Sequence, residues 1–182
     1  MDQHSAMNGF LRDVERRALR IAEMSVGNRD DAMEIVQDSM MGLVRRYAGR
    51  PSGEWKPLFY RIMQSRINDF HRRRVVRMRV MAMLPRNPPE QGGMIADPME
   101  NATRGERENP LREMETEAAT QAMIAAIERL PDRQKQTFML RAWEGLSVAD
   151  TAKAMGCSQG SVKTHYSRAL KNLQRQLEDV KP

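Results

Sequence analysis

The sequence predicts an all-α protein built as two small helical domains joined by a flexible linker. Apolar residues recur at three- and four-residue steps in both the N-terminal and the C-terminal part of the chain. No stretch alternates apolar and polar residues for long enough to suggest a useful strand. Residues 85–110, between the two helical parts, are rich in proline and glycine and poor in large apolar side chains.

Composition favours a soluble protein that folds around an apolar core. The chain has 182 residues, of which 40% are hydrophobic and 30% charged. No apolar run approaches the roughly 18–20 residues that span a bilayer, and the first ten residues lack the pattern of a secretory signal. Cys157 is the single cysteine, which excludes intramolecular disulfides and multi-cysteine zinc sites. We therefore expect a cytoplasmic protein.

The charge is concentrated in two basic blocks. Residues 1–76 hold 14 basic and 10 acidic side chains, residues 77–115 hold 6 and 7, and residues 116–182 hold 10 and 7. The pI of about 9.9 favours a polyanionic partner, with an ordinary soluble surface as the alternative.

The N-terminal part predicts three helices. The first covers residues 10–24, and Asn28 is placed to cap the second. The second helix should stop near residues 49–51, where glycine and proline occur. A third runs from about residue 54 into the arginine cluster at 72–74.

Residues 85–110, which contain few large apolar side chains, separate the two helical parts of the chain. Its composition cannot bury enough surface to offset the entropy of ordering, which predicts a linker; an ordered surface excursion is the alternative. The predicted boundaries are an N-terminal domain at 1–80, a linker at 81–115 and a C-terminal domain at 116–182.

The C-terminal domain carries a predicted helix-turn-helix. Ser147 is placed to cap a short helix that ends at Gly156, and Ser158 is placed to cap a longer one. Two helices crossing steeply need a small residue at closest approach, a glycine at the corner and a β-branched anchor. Ala152, Gly156 and Val162 meet these demands.

The second of these helices has a polar and basic outer face with no acidic residue before Glu178. Such side chains suit phosphates and base edges, whereas a purely structural αα corner is the alternative. The candidate DNA-binding residues are Gln159, Ser161, Lys163, Thr164, Arg168 and Lys171.

Residues 47–79 combine nine basic side chains with five of the nine aromatic residues of the chain. Interleaved cations and aromatic rings suit single-stranded nucleic acid. Helical spacing assigns Phe59 and Phe70 to the core, which leaves Tyr47, Trp55 and Tyr60 as candidate stacking platforms. The opposite face of the helix carries four side chains suited to bases and phosphates, and a merely solvated face is the alternative. They are Arg61, Gln64, Asn68 and Arg72.

Nothing in the sequence indicates enzyme chemistry. His4, His71 and His165 are scattered without the spacing of metal ligands, and no phosphate-cradling or dinucleotide motif occurs. We expect no catalytic residue, no metal and no cofactor.

The order of these features resembles an extracytoplasmic-function (ECF) type sigma factor of bacterial RNA polymerase. The resemblance covers roughly residues 10–78 and 116–178. It is carried by the stretch from Asp31 to Asp38, by the segment from Trp55 to Arg74, and by Leu130-Pro131 with the helix-turn-helix.

The resemblance implies three roles. Core RNA polymerase, through its β′ clamp helices, would contact Asp31, Glu34, Gln37 and Asp38. The melted −10 element would contact Tyr47, Trp55, Lys56, Tyr60, Arg61, Gln64, Asn68 and Arg72. The −35 duplex would contact the outer face of the last helix, from Gln159 to Lys171. The sequence leaves the existence of an anti-sigma partner open.

Two departures from the family pattern bear on these roles. Met33 stands where an acidic residue is common, and His165-Tyr166 replaces the usual Arg-Leu pair.

Two rival functions also follow from the residues: a DNA-binding regulator that never joins polymerase, and a helical adaptor that uses some of the 16 methionines to bind another protein.

Overall fold

The computed structural model describes the backbone of residues 3–83 and 110–178 and the side chains of residues 3–79 and 117–178. Every regular element in these ranges is helical, which confirms the all-α prediction. Most of the predicted linker at 81–115 lies outside the described residues; residues 81–83 belong to the helix Ser52–Met83 and residues 110–115 to the helix Pro110–Glu128, so both of its ends are helical rather than linker. The predicted domain boundaries therefore stay a prediction.

Three helices form the N-terminal part: α1 (Gln3–Val26), α2 (Arg29–Tyr47) and α3 (Ser52–Met83). Asn28 caps α2 as predicted, because its side chain accepts hydrogen bonds from the backbone N–H groups of Asp30 at 2.8 Å and Asp31 at 3.1 Å. The third helix starts earlier and runs further than predicted.

The core of this part lies where the three helices meet. Each helix turns one apolar stripe inward, and the fully buried residues include Ala18, Ile21, Leu43, Phe59 and Ile67. The assignment of Phe59 to the core is confirmed, and Phe70 packs against the core while staying partly exposed.

Four further helices form the C-terminal part: α4 (Pro110–Glu128), α5 (Asp132–Phe138), α6 (Val148–Met155) and α7 (Gln159–Glu178). A single π-helical turn, Met139–Trp143, extends α5. Helix α7 packs against α4, α5 and α6, and its apolar face buries Val162, Ala169 and Leu173.

The two parts are not separate in the structure, because α3 packs on α6 and α1 touches α5. The Nζ of Lys135 on α5 donates to the Met24 carbonyl oxygen at 3.2 Å. The Nε2 of Gln136 on α5 donates to Asn68 Oδ1 on α3 at 3.5 Å. Most of the buried apolar residues of both parts belong to one continuous cluster, which leaves out Ala152 and Val162.

Candidate nucleic-acid interface

The helix-turn-helix forms with the predicted capping geometry. Ser147 Oγ accepts from the N–H of Asp150 at 3.0 Å, and Ser158 Oγ accepts from the N–H of Ser161 at 3.1 Å. Between the two helices Gly156 takes a left-handed conformation, with φ of 61°. Ala152 and Val162 are buried beside this turn.

The predicted outer face of α7 points to solvent. Because Val162, Ala169 and Leu173 hold the opposite face in the core, the polar side chains between them are turned outward. Ser161 is partly exposed at the first turn of the helix. The remaining predicted residues are exposed: Gln159, Lys163, Thr164, Arg168 and Lys171.

Two side chains that the sequence did not single out join this face. Ser167 is exposed on α7 between Thr164 and Lys171. The guanidinium of Arg141 lies 5.6 Å from the centre of the Tyr166 ring and donates to the Leu146 carbonyl oxygen. Only the tertiary fold brings Arg141 to α7, whereas the position of Ser167 follows from helical spacing.

The Tyr166 ring also contacts an aromatic side chain of α5. Its ring stacks on Phe138, with the centroids 6.4 Å apart. A groove of about 440 Å³ lies beside the outer face of α7. It is bordered by Arg141, Lys163, Tyr166 and Lys171. Tyr166 therefore gives this chain an aromatic support for the Arg141 cation.

The aromatic candidates on the N-terminal side are mostly buried. Trp55 is 2% exposed and packs near Phe10, with ring centroids 5.9 Å apart, while Tyr60 is fully buried. Tyr47 is half-buried. The rings of Trp55 and Tyr60 are not accessible for stacking in this arrangement, so their role in binding stays a prediction.

Four of the predicted −10 residues form a line along α3. They follow one another at four-residue steps, which places them on one side of the helix. We call Lys56, Tyr60, Gln64 and Asn68 the α3 stripe. Its two ends contact the C-terminal part, since Lys56 reaches Glu144 and Asn68 reaches Gln136. Gln64, between them, is only 1% exposed.

Glu144, just after the π-helical turn, lies against one end of this stripe. Its side chain is fully buried, and its carboxylate lies 3.3 Å from Lys56 Nζ and 3.5 Å from Arg17 Nε. Lys56 Nζ also donates to the Glu144 backbone carbonyl oxygen at 2.5 Å. Glu144 was not predicted as a site residue, because no local pattern indicates that an acidic side chain after a helix will be buried.

Tyr60 shares the environment of Glu144. Burial raises the pKa of the Tyr60 hydroxyl well above its ordinary value, and the negative charge of Glu144 raises it further. Tyr60 is therefore neutral at any physiological pH.

The remaining predicted −10 residues are exposed. Arg61 faces solvent, and Arg72 is exposed while lying 3.2 Å from Asp69 one turn away. The arginines that continue along α3 as far as residue 79 are exposed as well. This end of α3 offers an open cationic surface to phosphates.

The predicted docking residues share one side of α2. Glu34, Gln37 and Asp38 are exposed and Asp31 is partly exposed, while Ile35 and Val36 turn inward. Asp31, Glu34 and Asp38 border a groove of about 850 Å³, whose other wall is α3. Across it, Asp38 pairs with Arg66 at 3.2 Å.

Two further observations apply to the described residues. No group of three His, Cys, Asp or Glu side chains there could hold a metal ion. None of the helices in the described part is long and apolar enough to cross a membrane.

The comparisons with known proteins agree with this geometry. Residues 120–173, which contain the helix-turn-helix, match the family "Sigma-70, region 4". The ECF RNA polymerase sigma factor BldN of Streptomyces coelicolor is 28% identical over 85% of this chain, and the chain spans 53% of that relative's length. The RNA polymerase sigma-E factor of the same organism is 29% identical over 92% of this chain and 84% of its own length. The ECF RNA polymerase sigma factor SigM of Mycobacterium tuberculosis is 28% identical over 94% of this chain and 77% of its own.

Solved structures show the same fold. The sigma factor RpoE of Bartonella quintana, in complex with the anti-sigma factor NepR, aligns with a TM-score of 0.64 at 19% identity, covering 95% of this chain and 99% of that one. CnrH in complex with the cytosolic domain of CnrY aligns with a TM-score of 0.55 at 18% identity, over 98% and 96% of the two chains.

The helix-turn-helix therefore lies in a sigma-70 region 4 domain, and the chain shares its fold with solved sigma factors. More narrowly, the region 4 match and the relatives named ECF RNA polymerase sigma factors support an ECF sigma factor.

Proposed function

We propose that this chain binds core RNA polymerase through the acidic side of α2 and directs the enzyme to promoters that α7 and α3 read. The exposed basic and polar face of α7 is the observation that carries the proposal. A helix held by a steep corner, with Lys163, Arg168 and Lys171 turned outward, fits the major groove of duplex DNA.

The residue roles follow from where the side chains lie. Lys163, Arg168 and Lys171 supply phosphate contacts, while Gln159, Ser161 and Thr164 are of the types that reach base edges. In the N-terminal part, Arg61 and Arg72 are the exposed members of the proposed −10 reader. The α3 stripe supplies four more residues, and Tyr47 and Trp55 complete the set.

Docking uses the carboxylates of α2. Asp31, Glu34 and Asp38 with the amide of Gln37 form the proposed contact with the β′ clamp helices of polymerase. Met33, 41% exposed, lies beside these residues and adds an apolar contact where the family commonly has an acidic one.

The partners proposed here are core polymerase, promoter DNA and an anti-sigma factor. The last is supported by the two structural neighbours, both of which were solved with anti-sigma factors or a domain of one. A role without enzymatic chemistry is consistent with the family, and a cytoplasmic location fits a partner of polymerase.

Transcription in vitro with purified core polymerase tests the proposal. Addition of the chain should start transcripts from a library of promoter fragments, and the chain should co-purify with core. A chain that does neither contradicts the proposal, whereas tight duplex binding without core favours a regulator that acts without polymerase.

Neutralising α7 gives a sharper test of its role. The double variant Lys163→Gln/Arg168→Gln should weaken duplex binding and lower the salt dependence of log Kd by about 2, because each lost phosphate contact removes roughly one released counterion. Transcription directed by this double variant should fall together with its duplex binding. Fluorescence anisotropy of labelled promoter duplex, with the chain bound to core polymerase and over a range of salt concentrations, measures the Kd and its salt dependence. Transcription in vitro measures the loss of activity.

The matched control carries the same charge change elsewhere. Arg12→Gln/Arg16→Gln alters two exposed arginines of α1 and should leave the salt slope near that of the unaltered protein. Equal losses in both double variants would show that net charge, rather than the α7 face, governs binding. Unchanged DNA binding in the α7 variant would favour the adaptor.

A further inference from the structure

The fold itself restrains the side chain of Arg141. This residue lies in the π-helical turn Met139–Trp143, a kind of turn that is often found at functional sites. Its guanidinium donates to the carbonyl oxygen of Leu146, a buried residue whose own N–H donates to the Leu140 carbonyl oxygen at 2.9 Å. The left-handed Gly145, with φ of 67°, makes the bend between the π-helical turn and this acceptor. The acceptor of Arg141 is therefore a fixed part of the backbone.

The ring of Tyr166 restrains the same side chain from α7. The guanidinium carbon of Arg141 lies 5.6 Å from the centre of the ring, within the range of a cation–π interaction. The ring also stacks on Phe138, with the two planes inclined by 21°. Turning the ring away from Arg141 would break its stacking on Phe138, so the ring is a defined support for the cation.

The restrained cation lies on the flank of the outer face of α7. Three cations border the groove of about 440 Å³ there: Arg141, Lys163 and Lys171. Apolar side chains line the rest of it, and no carboxylate lines it in the part of the chain that the structure describes. Arg141 is partly exposed and comes from a different element than the two lysines. A phosphate along this flank would therefore meet cations from two directions.

Restraint of an arginine affects how strongly it binds. An unrestrained arginine side chain has several rotatable bonds, and ordering them at an interface lowers the affinity. A side chain that the fold already orders loses less freedom on binding. The guanidinium has five N–H donors, so those that Leu146 does not use can reach a phosphate while the planar group rests on a ring.

We propose that Tyr166 is a positioning residue, whose ring holds the Arg141 guanidinium on the flank of α7, where the guanidinium binds a phosphate of duplex DNA. The proposal rests on the duplex-reading role of α7 proposed above. Tyr166 supports the cation and acts on affinity through Arg141 alone. This dependence separates its role from a general contribution to the fold.

A double-mutant cycle measures the coupling between the two residues. The four proteins are the parent, Tyr166→Leu, Arg141→Gln and the double variant, each bound to core polymerase. The probe is a fluorescein-labelled promoter duplex, taken from the fragments that start transcripts, and its anisotropy gives Kd. Tyr166→Leu should raise Kd about threefold to fivefold in the parent and hardly at all in the Arg141→Gln background. Losses of equal size in both backgrounds, or no loss in the parent, overturn the proposal.

A conservative variant and the salt dependence identify the interaction. Tyr166→Phe should keep the parent Kd, because either ring can support a cation. Arg141→Gln should lower the salt dependence of log Kd by about 1, because one phosphate contact is lost. The proposal fails if Tyr166→Phe binds as weakly as Tyr166→Leu, or if Arg141→Gln keeps the salt dependence of the parent.

Nuclear magnetic resonance of the free chain measures the restraint directly, under conditions where urea denaturation shows each variant to be folded. The order parameter of the Arg141 Nε–H bond should fall in Tyr166→Leu and stay at the parent value in Tyr166→Phe. The exposed Arg12 of α1 is the reference and should not change. An Arg141 side chain that is equally ordered in Tyr166→Leu and in the parent overturns the proposal.

The α7 double variant separates this proposal from the function on which it rests. If Lys163→Gln/Arg168→Gln keeps the duplex binding of the parent, α7 does not read duplex DNA and the positioning role is wrong with it. If that variant loses duplex binding while Tyr166→Leu does not, the positioning role alone is wrong.

Discussion

Gly156 shows how a single residue shapes the DNA-binding corner. Its φ of 61° places it in the left-handed region, where a residue with a Cβ is strained. An added Cβ would meet no atom within 4 Å in the described part of the chain, so the demand is conformational rather than steric. The glycine is required by the turn itself.

We therefore expect Gly156→Ala to lower the free energy of unfolding by about 1–2 kcal/mol, the usual penalty for a left-handed alanine. Urea denaturation followed by circular dichroism measures the change. Gly9→Ala is the matched control, because Gly9 lies inside α1 with open space around it. There alanine should stabilise the protein by up to about 1 kcal/mol. A loss of stability at Gly9 equal to that at Gly156 would contradict the conformational argument.

Glu144 is the residue whose importance only the structure reveals. In the sequence it follows Trp143 and precedes Gly145, a position typical of a solvated helix end. In the structure it is buried between Arg17 and Lys56, which are 127 and 88 positions away. No local signal specifies contacts over such separations.

At the scale of elements, the helix ends follow from local chemistry. Asn28, Ser147 and Ser158 each accept backbone hydrogen bonds at the start of a helix, as their positions in the sequence predict. The length of α3 is different. It continues to Met83 through a segment in which arginines alternate with valines and methionines, and Val75, Val76 and Met78 there are exposed. No buried apolar stripe marks this part of the helix, so periodicity alone gave no reason to extend it.

Helix α2 presents its carboxylates without relying on them for stability. Asp38 and Arg66 are both about half exposed, and an ion pair in water contributes less than about 1 kcal/mol. Neutralising the acidic side should therefore affect polymerase binding far more than folding.

The triple variant Asp31→Asn/Glu34→Gln/Asp38→Asn should reduce co-purification with core polymerase at least about tenfold, the effect of losing roughly 1.4 kcal/mol of binding. Its urea midpoint should fall only slightly. Analytical gel filtration with core enzyme measures the complex.

The control for α2 removes three acidic charges elsewhere. Asp13→Asn/Glu15→Gln/Glu128→Gln alters exposed residues of α1 and α4 and should keep normal binding. If this variant loses polymerase as strongly as the α2 variant, net charge rather than the α2 surface determines docking.

At the scale of the whole molecule, the two helical parts share one buried cluster. Apolar residues of α1, α2 and α3 are continuous with those of α4 to α7, and polar contacts cross the boundary at Glu144, Lys135 and Gln136. Such coupling should make the described parts unfold together, despite their separation in sequence.

In a Trp143→Phe background, Trp55 is the single tryptophan and reports on the N-terminal part. Its fluorescence and the far-ultraviolet circular dichroism should give coincident urea transitions. Glu144→Lys should split them, because the two parts then lose their main polar contact and unfold separately. Transitions that already differ in the parent protein would show that the two parts are independent without the substitution.

The sequence by itself determined the all-α class, the capped starts of α2, α6 and α7, the glycine corner and the outward face of α7. Each of these depends on residues within a few turns of one another, where helical spacing and backbone chemistry decide the outcome. It also assigned Phe59 to the core on spacing alone.

Only the tertiary structure decided that the α3 stripe is covered, that Glu144 is buried and that Arg141 joins the outer face of α7. These facts depend on packing between segments far apart in the chain, and an amphipathic helix does not specify which distant helix covers its polar side. The residue types predicted that Gln64 and Asn68 suit bases and that Tyr60 is a candidate stacking platform, whereas the role of Lys56 came only from the family resemblance. That this stripe is covered could be learned only from the fold.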